Sequence, residues 1–461
     1  MKFSTNSSWN SSGMRLLCRR SLQQQKKIAS LLASCAVSAL SLATFASATT
    51  VQLGRNQCNL VVDSQTKTEP YVSKPAYLRS YTDPVFGTKV TRITGDPGTL
   101  IRAVDGTWDN VSRDGYSDRP VWNADQSLML LENANGNLFL DGNTYLPLFF
   151  RRSGAPYSND DRWHPSQPSM MLYVANGRFS NTCEFGMWDV YTGAKTIQSM
   201  VSGYTGCTLG GTGNWSRDAT RVAVDATRAR DGKNVVFAVD LKSGTKYPDI
   251  DIVAQGFVNS TSVDWVSISP VGDLIYVNGA LTNGVEQSDN TMIFTLSGSV
   301  VQRWLEYGTP SHSDLTFDAS GNEVAVGVAK TTIGKATNGK VIMRNMRTGA
   351  VTSLDTGGWA IDTSARNINL PLWSFHGIED STDTSWPPYR DEIFAVKLDG
   401  SLTVARLAHT HNYPGDYQTQ GFVVPSPDGL RFVFSSDWGA PSGRPVQTYV
   451  VDMRPLCTVI K

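Results

Sequence analysis

The side chains of this 461-residue chain that can do chemistry gather just ahead of a series of short two-stranded segments. They are Tyr116, Asp118 and Arg119; Asp160, Asp161, Arg162, Trp163 and His164; Tyr204 and Asn214; Asp264 and Trp265; His312 and Asp314; Arg366 and Asn369; and Tyr417, Gln418 and Gln420. Arginine beside aromatic rings suits an acidic sugar chain, because the guanidinium forks a carboxylate or sulfate and the ring stacks on a pyranose face. Trp163, Trp265, Arg366, Tyr417 and Gln420 are the substrate-binding candidates in that pattern. The alternative is a set of satisfied polar groups lining a non-catalytic scaffold, since architecture alone implies no activity.

The chain has five histidines, so each placement carries information. His164, two residues after Arg162, is the acid/base candidate, against the alternative of a solvated loop side chain. His409 and His411 share one face if the strand there continues, and with His312 they would supply three imidazoles for zinc or a similar structural divalent ion. Hydrogen-bonded loop histidines are the alternative. His376 falls in the insertion Ser374–Pro388 and reads as a surface residue. The sequence holds no GxSxG, HExxH, CxxC or P-loop pattern. Gly210-Gly211-Thr212-Gly213 leads into a strand, not a helix, and reads as a connector.

The elements that must position these residues are clearest in Gln420–Trp438, QGFVVPSPDGLRFVFSSDW. Gly421–Val424 reads as a strand, Ser426-Pro427-Asp428-Gly429 as a tight turn, and Arg431–Ser435 as a second, alternating strand. Weaker copies begin at Val121, Trp163, Asn214, Val266 and Leu315, and a degenerate one spans Asn367–Trp373. Most copies are followed by a second strand pair, as in VVFAVDLKSGTKY from Val235 and MIFTLSGSVVQRW from Met292. Four strands per repeat, at a period of about 40–55 residues, predicts an all-β, seven-bladed β-propeller. The last unit supplies three strands, so the orphan Thr88–Thr94 is expected to close the ring from the N-terminal side.

Composition agrees: Gly 40, Tyr 16 and Trp 12, with 18% charged residues, suit short strands and tight turns. The first 48 residues hold six basic and no acidic side chains, and the remainder carries 35 basic against 41 acidic. A mildly acidic mature chain offers no nucleic-acid surface. The basic start, the apolar run Ile28–Phe45 and Ala46-Ser47-Ala48 read as a secretory signal over residues 1–48, giving a secreted or periplasmic protein that does not span the membrane. Leu32-Ala33-Ser34-Cys35 is a weaker lipoprotein-type reading. Residues 49–82 then form an irregular leader or strap and 83–461 the propeller. Four cysteines remain, and in an exported protein they are expected to pair. The repeat favours Cys58 with Cys457 across the ring closure, and Cys183 with Cys207 across the outer strands of one unit.

DPVFGTKVTRIT (Asp83–Thr94), YSDRPVWNADQSLMLL (Tyr116–Leu131), HSDLTFDASGNEVAV from His312, and HTHN (His409–Asn412) with the following VPSPDGLRFVFSSDW resemble the secreted seven-bladed propeller polysaccharide lyases, the ulvan and rhamnosyl-glucuronate lyases. The resemblance implies β-elimination on a uronic-acid-containing polysaccharide. A cation neutralises the carboxylate, a base removes the C5 proton, and an acid protonates the departing O4. It would make Arg119 or Arg162 the neutralising cation, His164 the base or acid, and Tyr116 or Tyr204 its counterpart. It also implies a structural metal on His312, His409 and His411. Two positions depart from the family: Asp114-Gly115 stands before Tyr116 where relatives carry histidine, and Asn367-Ile368-Asn369-Leu370 lacks their cysteine. A carbohydrate-binding propeller without chemistry, or a TolB-like protein-interaction scaffold, would use the same face.

Overall fold

The computed structural model describes residues 48–460, apart from 134–135, 152–159, 177–180, 283–289, 306–307, 330–338, 356–359, 379–387, 414–416, 420–421 and 441–443. The signal segment 1–48 therefore lies almost wholly outside the described residues, as does Gln420. Among the described residues no helix is long and apolar enough to cross a membrane.

The chain forms short antiparallel strands because its turns are locally specified. Between Val423–Pro425 and Arg431–Ser436, Ser426 Oγ donates to Asp428 Oδ1 (2.6 Å) and accepts the Arg431 N–H (3.1 Å). Ser216, ahead of the strand Arg221–Arg228, does the same with Asp218 (2.7 Å) and the Arg221 N–H (2.9 Å). The outer hairpins turn on a second device. Asp189 Oδ1 accepts the N–H groups of Tyr191 and Thr192, Asp240 those of Lys242 and Ser243, and Asn345 those of Arg347 and Thr348. A short side chain that satisfies backbone donors two and three residues on makes the reversal independent of the rest of the fold.

Among the described residues, six sheets have blade form. Blade 1 is Leu128–Asn133, Gly136–Asp141 and Pro147–Arg151. Blade 2 runs from Arg162–Trp163 to Lys195–Ser202, blade 3 from Tyr204–Thr208 to Ile250–Asp251, blade 4 from Val263–Ile268 to Val300–Trp304, and blade 5 from Ser311–Phe317 to Val351–Ser353. Blade 6 joins Val423–Pro425, Arg431–Ser436 and Gln447–Asp452 to two N-terminal strands, Lys89–Arg92 and Ser80–Thr82. The seventh sheet is a different object. It has seven strands: Ala360–Ser364, Trp373–Ile378, Glu392–Lys397 and Val404–His409 continue into Asn56–Val61 and Ala48–Leu53, with Cys457–Val459 on Asn56–Val61.

The expectation of seven equivalent blades closed by one N-terminal strand is thus corrected to six blades and a composite sheet. The reason is an edge. Val404–His409 would otherwise end a sheet with unpaired backbone, and the N-terminal hairpin covers it, Val61 opposite Arg406. The strap is accordingly less irregular than expected, because Ala48–Leu53 and Asn56–Val61 are paired strands. Beyond them Arg406, fully buried, donates to Asp63 Oδ1 (2.9 Å) and the Gln65 carbonyl (2.5 Å), and Trp438 Nε1 donates to the Val72 carbonyl (3.0 Å).

Apolar faces pack sheet to sheet. Phe185, Cys183, Val222 and Phe237 form one cluster between blades 2 and 3, and Trp373, Phe375, Phe432 and Tyr449 another between the composite sheet and blade 6. Cys58 and Cys457 are bonded, as are Cys183 and Cys207. The second bridge differs from expectation, for it joins blade 2 to blade 3. His376 also departs from its reading as a surface residue. It is fully buried in Trp373–Ile378, with Ser374 Oγ 2.7 Å from Nε2 and Thr363 Oγ1 3.2 Å from Nδ1, and burial pushes its pKa down to about 3.

The Cys58–Cys457 bond spans 399 residues of chain. Its removal as Cys58→Ser with Cys457→Ser is expected to cost about 2–5 kcal/mol, read as a lower urea midpoint under oxidising conditions. An unchanged midpoint in the double variant would mean that the bond adds nothing to stability.

Candidate functional site

The inner strands start on one side of the sheets, and their first residues surround two adjoining cavities of about 570 Å³ and 400 Å³. Tyr116, Thr212 and Asp264 line both. The larger also takes Asp118, Trp265, His312, Ser313 and Thr363; the smaller takes Arg113, Arg119, Glu132 and Tyr417. Gly210 lines the smaller, at φ +75°, and a Cβ there would stand 2.3 Å from the Asp264 carbonyl oxygen. Glycine is needed because the connector's backbone lies directly on the inner strand of blade 4.

Tyr116 is the central side chain. Its carbonyl accepts the Arg119 N–H (3.0 Å), and its ring lies 5.2 Å from Phe422 and 6.3 Å from the His312 imidazole. Burial, then the nearby Asp362 carboxylate, raises its pKa, so the phenol keeps its proton. His312, at φ +45°, has Nδ1 3.1 Å from Oδ1 of the buried Asp362. A carboxylate on Nδ1 fixes the tautomer and leaves Nε2 as the basic nitrogen. Arg119 is bound to Glu132, which also lies 3.8 Å from Arg113 Nε, and Gly115 at φ +93° lets Arg119 pass close to the backbone. Tyr417 packs on Phe422 (5.6 Å), and Trp265 stacks on Tyr276 (4.8 Å) at the cavity wall.

The other sequence-derived candidates lie elsewhere. Arg162 is buried, donating to the carbonyls of Asp161 (3.0 Å) and Gly211 (2.7 Å), and burial lowers its pKa. Arg366 forks Asp314. With Trp163 and His164 they line a third, narrow space of about 60 Å³ that shares no residue with the two cavities above. His164 works as a turn former there: its Nδ1 accepts the N–H groups of Ser166 (3.2 Å) and Gln167 (3.1 Å), and burial lowers its pKa. Trp163 Nε1 donates to the Val121 carbonyl (3.0 Å). Tyr204 donates to Asp249 (2.8 Å) and packs on Phe237, inside the blade 3 core.

The three metal candidates are divided. His409 Nδ1 meets Asp83 (3.2 Å), His411 Nδ1 meets Glu69 (3.0 Å), and the two rings are 6.3 Å apart, while His312 belongs to the larger cavity. Among the described residues no group of three or more His, Cys, Asp or Glu side chains is placed to hold a metal ion. No metal enters the steps proposed for this chain.

Asp362 and Arg113 escaped the sequence reading. Asp362 precedes the segment chosen as the inner strand of unit six, which begins instead at Ala360. Arg113 precedes the first repeat, which begins at Val121. The alternation of Ala-Ile-Asp-Thr-Ser was the signal for the first.

No protein-family model matches the chain, and no curated protein matches it. Solved structures do. An oligogalacturonate lyase in complex with manganese aligns over 82% of this chain and 96% of its own, at 15% identity and a TM-score of 0.56. The likeness is one of fold. An oligogalacturonate lyase from Vibrio parahaemolyticus aligns over 81% and 96%, at 12% identity and 0.53. A TolB from Agrobacterium tumefaciens reaches 0.34 over 54% of this chain, too low to carry an argument. The chain is a β-propeller distantly similar in fold to oligogalacturonate lyases.

Proposed function

We propose that this protein is an exported lyase that cleaves a uronic-acid-containing polysaccharide by β-elimination. One observation carries the reading: Tyr116 joins a cavity holding an oriented imidazole to one holding two guanidinium groups. His312 Nε2 takes the C5 proton of the uronate. The C4–O4 bond then breaks, a C4–C5 double bond forms, and the Tyr116 phenol gives its proton to the departing oxygen. Arg119, with Arg113 beside it, offsets the substrate carboxylate, and Trp265 and Tyr417 supply ring faces for neighbouring sugars. Arg162, His164 and Tyr204 take no part, since they do not line these cavities.

The test is ultraviolet absorbance of the unsaturated uronate during incubation with oligogalacturonate, glucuronan and ulvan. Product from at least one establishes the lyase. The binding-module reading draws on a separate observation, that Glu132 already partners Arg119. Retention on a glycan gel with no product from any substrate would establish it instead.

A further inference from the structure

Asp118 is the buried acid of the larger cavity that the reaction above leaves unused. It is 3% exposed, lines the same space as Tyr116 and His312, and its Oδ1 has no hydrogen-bond partner among the described residues. A buried oxygen left in that state costs about 1–3 kcal/mol. The backbone prevents escape: the Asp118 carbonyl accepts Asn214 Nδ2 (3.1 Å), and the turn on either side closes through Arg119 N–H to Tyr116. The charged groups facing it are Arg162 from blade 2, Asp314 from blade 5 and Arg366 beside the composite sheet, with Tyr116 on its own segment. Arg366 is committed to Asp314, and Arg162 donates to two carbonyls. Burial therefore outweighs Arg162 and raises the Asp118 pKa well above the carboxylate range.

Among the described residues the larger cavity is lined by no Lys or Arg, so on its side of the substrate carboxylate a neutral donor would complement Arg119 and Arg113 of the smaller one. We infer that Asp118 is a protonated catalytic residue whose O–H donates a hydrogen bond to the carboxylate of the reacting uronate, next to Arg119. This role rests on the lyase reading. When C5 loses its proton, negative charge moves onto that carboxylate, and a preorganised donor in a dry site stabilises it more than it stabilises the ground state. A carboxylic acid kept neutral by an apolar site is a known way to supply such a donor. No proton leaves Asp118 during the cycle.

The experiment compares wild type, Asp118→Ala and Asp118→Asn on oligogalacturonate, glucuronan and ulvan across pH, with thermal melts confirming that each variant is folded. The alanine variant is expected to lose about 10²–10³-fold in kcat with little change in KM. Wild-type activity should fall at alkaline pH as Asp118 ionises. The asparagine variant, whose amide still donates, should recover part of the rate and lose that alkaline fall. An infrared carboxylic C=O band present in wild type and missing from Asp118→Asn would identify the proton without any substrate. Product formation with an unchanged pH profile in Asp118→Asn, or absence of the band, overturns this role alone. No product from wild type on any of the three overturns the lyase reading and this role with it.

Discussion

Exchanging His312 for asparagine is expected to lower kcat for unsaturated-uronate formation by about 10²–10⁴-fold, with KM little changed. Asparagine is the informative replacement for two reasons. His312 sits at φ +45°, where asparagine is tolerated better than alanine. Its amide can also donate to Asp362, which is fully buried and whose Oδ2 already has no partner among the described residues, so the variant does not strand a carboxylate. The lost rate then reports the missing base and not a damaged wall. A melting temperature equal to wild type with the rate intact would remove His312 from the mechanism.

Asp83→Ala is expected to cost about 3–5 kcal/mol of stability, because it breaks a buried ion pair and strips a turn at once. Asp83 accepts the N–H groups of Val85 (2.8 Å), Phe86 (2.9 Å) and His409 (3.1 Å), and its Oδ2 lies 3.2 Å from His409 Nδ1. It thereby ties the N-terminal strands of blade 6 to the end of the composite sheet. The pair is pH-sensitive in a definite window. Burial alone would lower the His409 pKa, but the Asp83 hydrogen bond and charge outweigh it and raise it. That contribution is complete below the unfolded histidine value and fades as pH rises through the folded one. Burial opposes ionisation of Asp83, yet His409 and the backbone donors hold its pKa below the ordinary value, so its contribution is lost as pH falls. The gap between wild type and variant, from urea unfolding, should be widest between about pH 4 and about pH 6.5 and narrow on either side. A gap that stays constant to alkaline pH would mean that the turn alone matters.

His409 and His411 show why the site was only partly legible. Their spacing on one strand end is visible in sequence, but what they meet is not. Asp83 and Glu69 are more than 300 residues away and reach them through the N-terminal strands and strap. The same limit applies to Arg162 and His164: both precede a hairpin, as Tyr116 does, but they sit in the narrow space away from the two cavities. A position ahead of an inner strand gives the correct layer to within a residue or two, and one residue along a strand moves a side chain to the other face.

Local chemistry carried the rest. Ser-Pro-Asp-Gly and Asp-x-x-Thr-Gly turns satisfy their own backbone, so strands, hairpins and the propeller class follow from short stretches without distant partners. Both expected cysteine pairs form, although the repeats had placed Cys183 and Cys207 within one unit. Tertiary structure alone decided the composite sheet, the bridge from blade 2 to blade 3, and the meeting of Tyr116, Asp118, His312 and Asp362. Each depends on which edges and inner strand ends come together in three dimensions. That is set by summed packing between sheets and not by any residue's own preference.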